Sequence, residues 1–151
     1  MAKMTKSVTI NAPVDKVFTF MRDPNNMPEI WPGMVLVKDV KRSPLGGFNY
    51  SWVYKMAGLR FDGASEVADY IANQRLVMMS TRGINSTFRW NLEPQNGGTK
   101  LTLEVENLVP VPLLGRVAEA FIFMANEHDA GLILANLKAR MEVLAINLQR
   151  S

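Results

Sequence analysis

The chain has 151 residues, of which 48% are hydrophobic and 21% charged, with a net charge of +3. That length is most simply one domain, 1–151, able to bury roughly 70% of its unfolded surface. The mild positive charge comes without a dense Lys/Arg run, so nucleic acid is not an expected partner. The absence of cysteine excludes disulfides, zinc–thiolate sites and thiol nucleophiles, and a lone histidine excludes a multi-histidine metal centre.

Met1 to Ser7 carries two lysines with no apolar run behind it, so no signal peptide is read there. No segment reaches the roughly 18 uninterrupted apolar residues of a membrane span. The expectation is a cytoplasmic protein.

In chain order, Met4–Ile10 alternates as a first strand, and Asn11-Ala12-Pro13 stops it. Val14, Val17, Phe18 and Met21 have helical spacing, and the helix they form must end at Asp23, because the residue before Pro24 is pushed out of the helical region. Asn25–Trp31 reads as a second short helix or turn, closed by Pro32-Gly33. From Met34 to Val109 the period is two, giving strands over 34–42, 47–56, 59–70, 75–82, 84–93 and 99–109. The breaks between them are Ser43–Gly47, Ala57-Gly58, Asn73, Gly83 and Asn96–Gly98. Such short turns imply an antiparallel meander, and the first strand makes seven.

The alternation also sorts the side chains. Phe48, Tyr50, Trp52, Tyr54 and Met56 share one face, as do Phe88, Trp90 and Leu92, and then Leu101, Leu103 and Val105. Their neighbours Arg89, Glu104 and Glu106 fall on the opposite, solvated face, where cross-strand charge pairing is expected. The carboxylates of Asp62 and Glu66 are read the same way.

Pro112 to Gln149 runs close to forty residues without further proline and would span roughly 55 Å as one helix. Its apolar residues form two stripes. Val117, Phe121, Met124, His128, Leu132 and Ala135 make one, and Leu134, Leu137, Met141, Leu144 and Leu148 the other. Two offset stripes imply a change of direction near Gly131. A twisted seven-stranded sheet curls, its aromatic face needs a cover, and this helix is the one element long enough to provide it. Where the sheet curves more tightly than the helix, a cavity remains.

The expected cavity wall is Tyr50, Trp52, Tyr54, Phe61, Val77, Met79, Phe88, Trp90, Leu103 and Val105 from the sheet. Phe121, Met124, His128 and Leu132 face it from the helix. Two readings are open for His128: a general acid/base or donor to a ligand oxygen, or a hydrogen-bonded histidine at the core edge. Tyr50, Trp52 and Tyr54 offer π-faces with polar tips, and aromatics at period two are also good strand formers. The apolar connection Leu108–Leu114, with two prolines, is read either as a portal rim making transient membrane or protein contact, or as packing beneath the first helices. No HExxH, G-x-S-x-G, P-loop or G-x-G-x-x-G motif occurs, so no metal or cofactor is expected.

Three stretches resemble the START-related (SRPBCC) superfamily with its helix-grip fold. Val8-Thr9-Ile10-Asn11-Ala12-Pro13-Val14-Asp15-Lys16-Val17-Phe18 is similar to its first strand entering the first helix. Asp23–Gly33 is similar to the two-helix connection that follows, and Gly97-Gly98-Thr99-Lys100-Leu101-Thr102 to the hairpin into the last strand. The best match is the polyketide cyclase/dehydrase and lipid-transport branch. The resemblance implies an α+β helix-grip fold: a seven-stranded curved antiparallel sheet wrapped on a long C-terminal helix, with two short helices after the first strand. It also implies a hydrophobic cavity for a lipid, isoprenoid or polyketide-like ligand. It supplies no catalytic set to carry over. The leading expectation is a carrier. The alternatives are a polyketide cyclase or dehydratase, in which His128 and Tyr50 move protons, and a protein-interaction module.

Overall fold

In a computed structural model, residues 2–56, 58–83, 85–108 and 127–144 are described. The chain opens with β1 (Ala2–Ile10), α1 (Val14–Met21), a 3₁₀ turn (Pro24–Asn26) and α2 (Met27–Ile30). Six strands follow: β2 (Met34–Arg42), β3 (Phe48–Met56), β4 (Leu59–Ile71), β5 (Arg75–Arg82), β6 (Asn85–Gln95) and β7 (Gly98–Leu108). A C-terminal helix, α3, runs through 127–144.

The seven strands form one antiparallel sheet in the order β1-β7-β6-β5-β4-β3-β2, the expected meander with β1 added against β7. Its turns follow residue chemistry. Asn96 and Gly97 both take positive φ, 50° and 82°, the conformation that a two-residue hairpin requires. Register shifts interrupt the β2–β3 pairing twice and the β4–β5 pairing twice, between Ala64 and Ser65 and between Val67 and Asp69. Bulges of this kind bend a strand and raise its twist, so bending is concentrated in this half of the sheet.

Helix α1 begins just after Pro13, an extended N-cap residue whose carbonyl accepts the Val17 N–H at 3.1 Å, and it buries Val17, Phe18 and Met21. The residue before Pro24 leaves the helical region as expected: Asp23 is extended, and its carboxylate accepts the Asn25 N–H at 3.0 Å. Phe18, Ile10, Ile30, Leu101 and Leu103 lie at the centre of the core, each contributing about 1.5–3 kcal/mol by burial.

The two-stripe reading of the C-terminal helix is corrected over the described span. α3 is continuous through Gly131, and its buried face is Ala130, Ile133, Leu134, Leu137 and Met141. His128 and Ala135 of the first stripe are exposed, and Leu144 of the second is 42% exposed. The stripe that covers the core is thus the expected second one at Leu134, Leu137 and Met141, extended back to Ala130 and Ile133, and not the one assigned to His128. Polar ties along the C-terminal half of the stripe fix the helix. Lys138 Nζ donates to the Thr9 carbonyl at 2.7 Å, Glu142 accepts the Asn11 N–H at 2.9 Å, and Asn136 Nδ2 donates to the Ile30 carbonyl at 3.0 Å. The stretch from Val109 through residue 126, which contains Phe121, Met124 and most of the Leu108–Leu114 connection, lies outside the described residues.

On the opposite face of the sheet, Arg89 reaches Glu104 and Glu106 at 3.5 and 3.4 Å, and Lys3 reaches Glu104 at 2.8 Å. This is the expected cross-strand pairing, and Lys3 holds the Glu104 carboxyl below its ordinary pKa by hydrogen bond and charge. Arg60 and Asp62 also pair on the surface, at 3.1 Å.

Candidate site: an aromatic hollow between the sheet and the short helices

The described part of the hollow is walled on one side by the sheet. Phe48, Tyr50, Trp52 and Tyr54 come from β3, Leu76 and Met78 from β5, and Phe88 and Trp90 from β6. The other side is Met21 and Arg22 at the end of α1, Pro24 in the 3₁₀ turn, Met27 on α2, and Trp31 and Met34 beyond it. A water molecule's centre fits over about 60 Å³, within a void of about 810 Å³ that runs out into solvent. All three tryptophans of the chain face this space.

Neighbouring residues hold the rings in place. Trp52 lies flat across the strand pair because its partner in the register, Gly63, has no side chain, and a Cβ there would collide with the six-membered ring. The Trp52 indole N–H donates to Ser65 Oγ at 2.9 Å. Trp31 packs against Phe88 with ring centroids 4.9 Å apart and edge-on to Tyr54 at 5.7 Å. The Trp31 Nε1–H is buried and makes no hydrogen bond among the described residues.

Two phenols project into the hollow with different surroundings. Tyr54 Oη donates to Asp129 Oδ2 on α3, joining the helix to the sheet at the edge of the cavity. Burial is the largest cause raising the Tyr54 pKa, and the adjacent Asp129 carboxylate raises it further, so the phenol stays protonated. Tyr50 has no hydrogen-bond partner among the described residues, and burial pushes it up to about 12. It can donate a hydrogen bond to a ligand, but it cannot act as a base near neutral pH. Arg22 is the one charged residue among those facing the hollow, and its Nη1 donates to Tyr70 Oη at 3.2 Å.

The sequence-derived wall is therefore partly redrawn. Tyr50, Trp52, Tyr54, Phe88 and Trp90 line the hollow together. Leu103 and Val105 point to the same side but are packed into the solid core, and Phe61, opposite Tyr54, packs against that core without reaching the cavity. Val77 and Met79 are turned to the other face. In the register, Leu76 stands opposite Trp90 and Met78 opposite Phe88, which leaves Val77 opposite Arg89 and Met79, 47% exposed, opposite Thr87. Four consecutive apolar residues, Leu76 to Met79, carry no period-two phase, so neighbouring strands decide it.

His128 is exposed beside Lys6, Glu127, Gly131 and the half-buried Leu132, away from the aromatic hollow. Asp129, one position on, is the α3 side chain that reaches the sheet. Its signal was available in the spacing, because 129, 133, 137 and 141 step by four along one face. Arg22 was legible too, four residues after buried Phe18 on the same helical stripe. Among the described residues, the hollow is bounded by the sheet and the N-terminal helices and not by α3, which fills the adjoining core. No three His, Cys, Asp or Glu side chains converge among the described residues in a way that could hold a metal.

A curved antiparallel sheet with two short helices after its first strand and a C-terminal helix packed across it defines a START-like, helix-grip protein. The chain belongs to the polyketide cyclase/dehydrase and lipid-transport family, whose model matches residues 1–142. It is similar to a START superfamily protein of Mycobacterium smegmatis at 17% identity, covering 94% of this chain and 98% of that one with a TM-score of 0.77. It is also similar to the Zhui aromatase/cyclase of Streptomyces sp. R1128, at 15% identity, 93% of each chain and a TM-score of 0.78. A Thermus thermophilus protein gives 17% identity, 95% and 99% coverage and a TM-score of 0.76. At these identities the likeness is one of fold. No curated protein matches the chain in sequence. No helix among the described residues is long and apolar enough to cross a membrane.

Proposed function

We propose that this chain binds and carries a hydrophobic small molecule, of the lipid, isoprenoid or polyketide-like class, in the hollow between the sheet and the short helices. The observation that carries this reading is the wall itself. Seven aromatic rings of β3, β6 and the segment after α2 converge there with methionines from four different elements, and one charged side chain faces them. Covering apolar ligand surface is favourable by about 25 cal/mol per Å², so such a wall gives affinity without any catalytic group. Organic extraction and mass spectrometry of protein purified without detergent should return a retained apolar compound. An empty extract, together with no binding of any apolar fluorescent probe, would overturn the reading.

A cyclase or dehydratase working in the same hollow is the second reading, and Tyr50 is the observation that favours it. With His128 outside the cavity, proton transfer would fall to this phenol, which has no hydrogen-bond partner among the described residues, acting as a donor. Turnover of a linear polyketide that Tyr50→Phe abolishes would establish catalysis, whereas turnover unaffected by that change would remove Tyr50 from it.

A further inference from the structure

We infer that the ligand is amphipathic and anionic, and that its carboxylate sits on Arg22. This rests on the carrier reading and names the chemistry at one end of the cargo. Arg22 follows α1 directly and lines a wall whose other members are uncharged and mostly aromatic and aliphatic. The side chain is half-buried and forms no ion pair among the described residues, and its recorded partner is the neutral hydroxyl of Tyr70 at 3.2 Å. Several other described arginines and lysines on the sheet's outer face and on α3, such as Arg89, Lys3, Arg140 and Lys138, have carboxylates within reach. A cation held at an apolar wall without a counter-ion loses part of its hydration, and one hydrogen bond to a neutral hydroxyl offsets that only in part. A ligand carboxylate would restore that balance with the planar, two-pronged geometry that a guanidinium matches.

The surroundings fix which end of the ligand goes where. Tyr70, the partner of Arg22, and Phe61, opposite Tyr54, stand nine residues apart on β4, roughly 30 Å along the strand. The Tyr54 end carries the Asp129 carboxylate, which repels an anion, together with the packed rings of Trp31 and Phe88. The acid group therefore lies at the Arg22–Tyr70 end, and the apolar body extends toward Trp31.

The molecule supplies its own reporter, since Trp31, Trp52 and Trp90 all face the hollow and can transfer excitation to a bound polyene. Titration with cis-parinaric acid and with its methyl ester should show the acid binding about tenfold tighter or better, as expected for a charge-assisted contact. Arg22→Gln should bring the acid down to the affinity of the ester and leave the ester unchanged. Arg22→Lys should keep part of the preference. Thermal melting of each variant checks that it is folded. Equal binding of acid and ester by the wild-type protein overturns the inference while the carrier reading survives. Equal loss of both probes in a folded Arg22→Gln protein also overturns it, showing that Arg22 shapes the cavity and does not read charge. Failure of both probes to bind the wild-type protein overturns the inference, while the carrier reading is decided separately by the extraction.

Discussion

The hydrogen bond from Tyr54 to Asp129 is the point where the C-terminal helix is tied to the cavity wall, and its removal has a calculable consequence. Tyr54→Phe keeps the ring, and with it the edge contact to Trp31, but deletes the donor to a carboxylate. A hydrogen bond to a charged acceptor contributes about 1.5–3 kcal/mol, and Asp129 is only half-buried, so water can replace part of what is lost. The cost should fall near the lower limit, about 1.5 kcal/mol, which for a domain of this size lowers the Tm by about 3–6 °C. Asp129→Asn keeps an acceptor and should cost less, and the double variant should show a coupling energy of about 1 kcal/mol in a denaturation cycle. Hydrogen exchange adds a spatial readout: amides around Asp129 on α3 should lose protection in Tyr54→Phe, while those near Leu137 and Met141 should not. An unchanged Tm with no coupling would show that this tie contributes nothing and that burial of the α3 stripe and its other polar contacts hold the helix.

Three further outcomes follow from single contacts. Gly63→Ala should destabilise the fold by about 1–3 kcal/mol and alter tryptophan emission, because the new methyl group meets both the Trp52 ring and the Arg82 carbonyl; a silent emission spectrum would mean that Trp52 does not lie across Gly63. Glu142 has its carboxyl pKa lowered below the ordinary 4.5 by hydrogen bonds from Lys138 and from the Asn11 amide. A group lowered on folding stabilises above its unfolded pKa and ceases to do so as pH falls through the folded value. Glu142→Gln should therefore be less stable than wild type at pH 7, by less than about 1 kcal/mol given its exposure, and the two melting curves should converge on acidification. His128→Ala should leave probe affinity unchanged, with stability within about 0.5 kcal/mol, since the imidazole lies outside the hollow; a fall in affinity would place it back in the site.

How much is legible in the sequence depends on whether a segment carries phase. β3 alternates aromatic with non-aromatic residues from Phe48 to Lys55, all but Val53 of the latter polar, and β6 alternates aromatic with polar from Thr87 to Asn91, so their inward faces follow from the pattern alone. β5 has no such alternation, and only its hydrogen-bonding with β4 and β6 sets Leu76 and Met78 inward. The register of α3 is obscured for a related reason. His128, Leu132 and Ala135 make a plausible apolar stripe, but Ala130, Ile133, Leu134 and Leu137 make a denser one, and burial follows the larger apolar area. The contribution of the short helices is hidden altogether. Met21, Met27 and Trp31 are far in sequence from the sheet face they oppose, and spacing within a helix shows which residues turn inward, not what they meet.

The two walls of the hollow differ in mechanical character, and this bears on what it can hold. On the sheet side, Trp52 is pinned by Ser65 and by the glycine beneath it, and backbone pairing fixes Tyr50, Phe88 and Trp90 in register. On the helix side, Met21 and Met27 face the same space with unbranched side chains that exchange rotamers at low cost, and Met34 of β2 and Met78 of β5 add two more. The free room of about 60 Å³ is far less than a lipid or polyketide needs, so occupancy requires the methionine side to yield while the aromatic side stays in place. A rigid aromatic floor selects for ligands with flat or slender apolar bodies. A yielding methionine roof accommodates variation in length and branching of whatever apolar body enters the hollow.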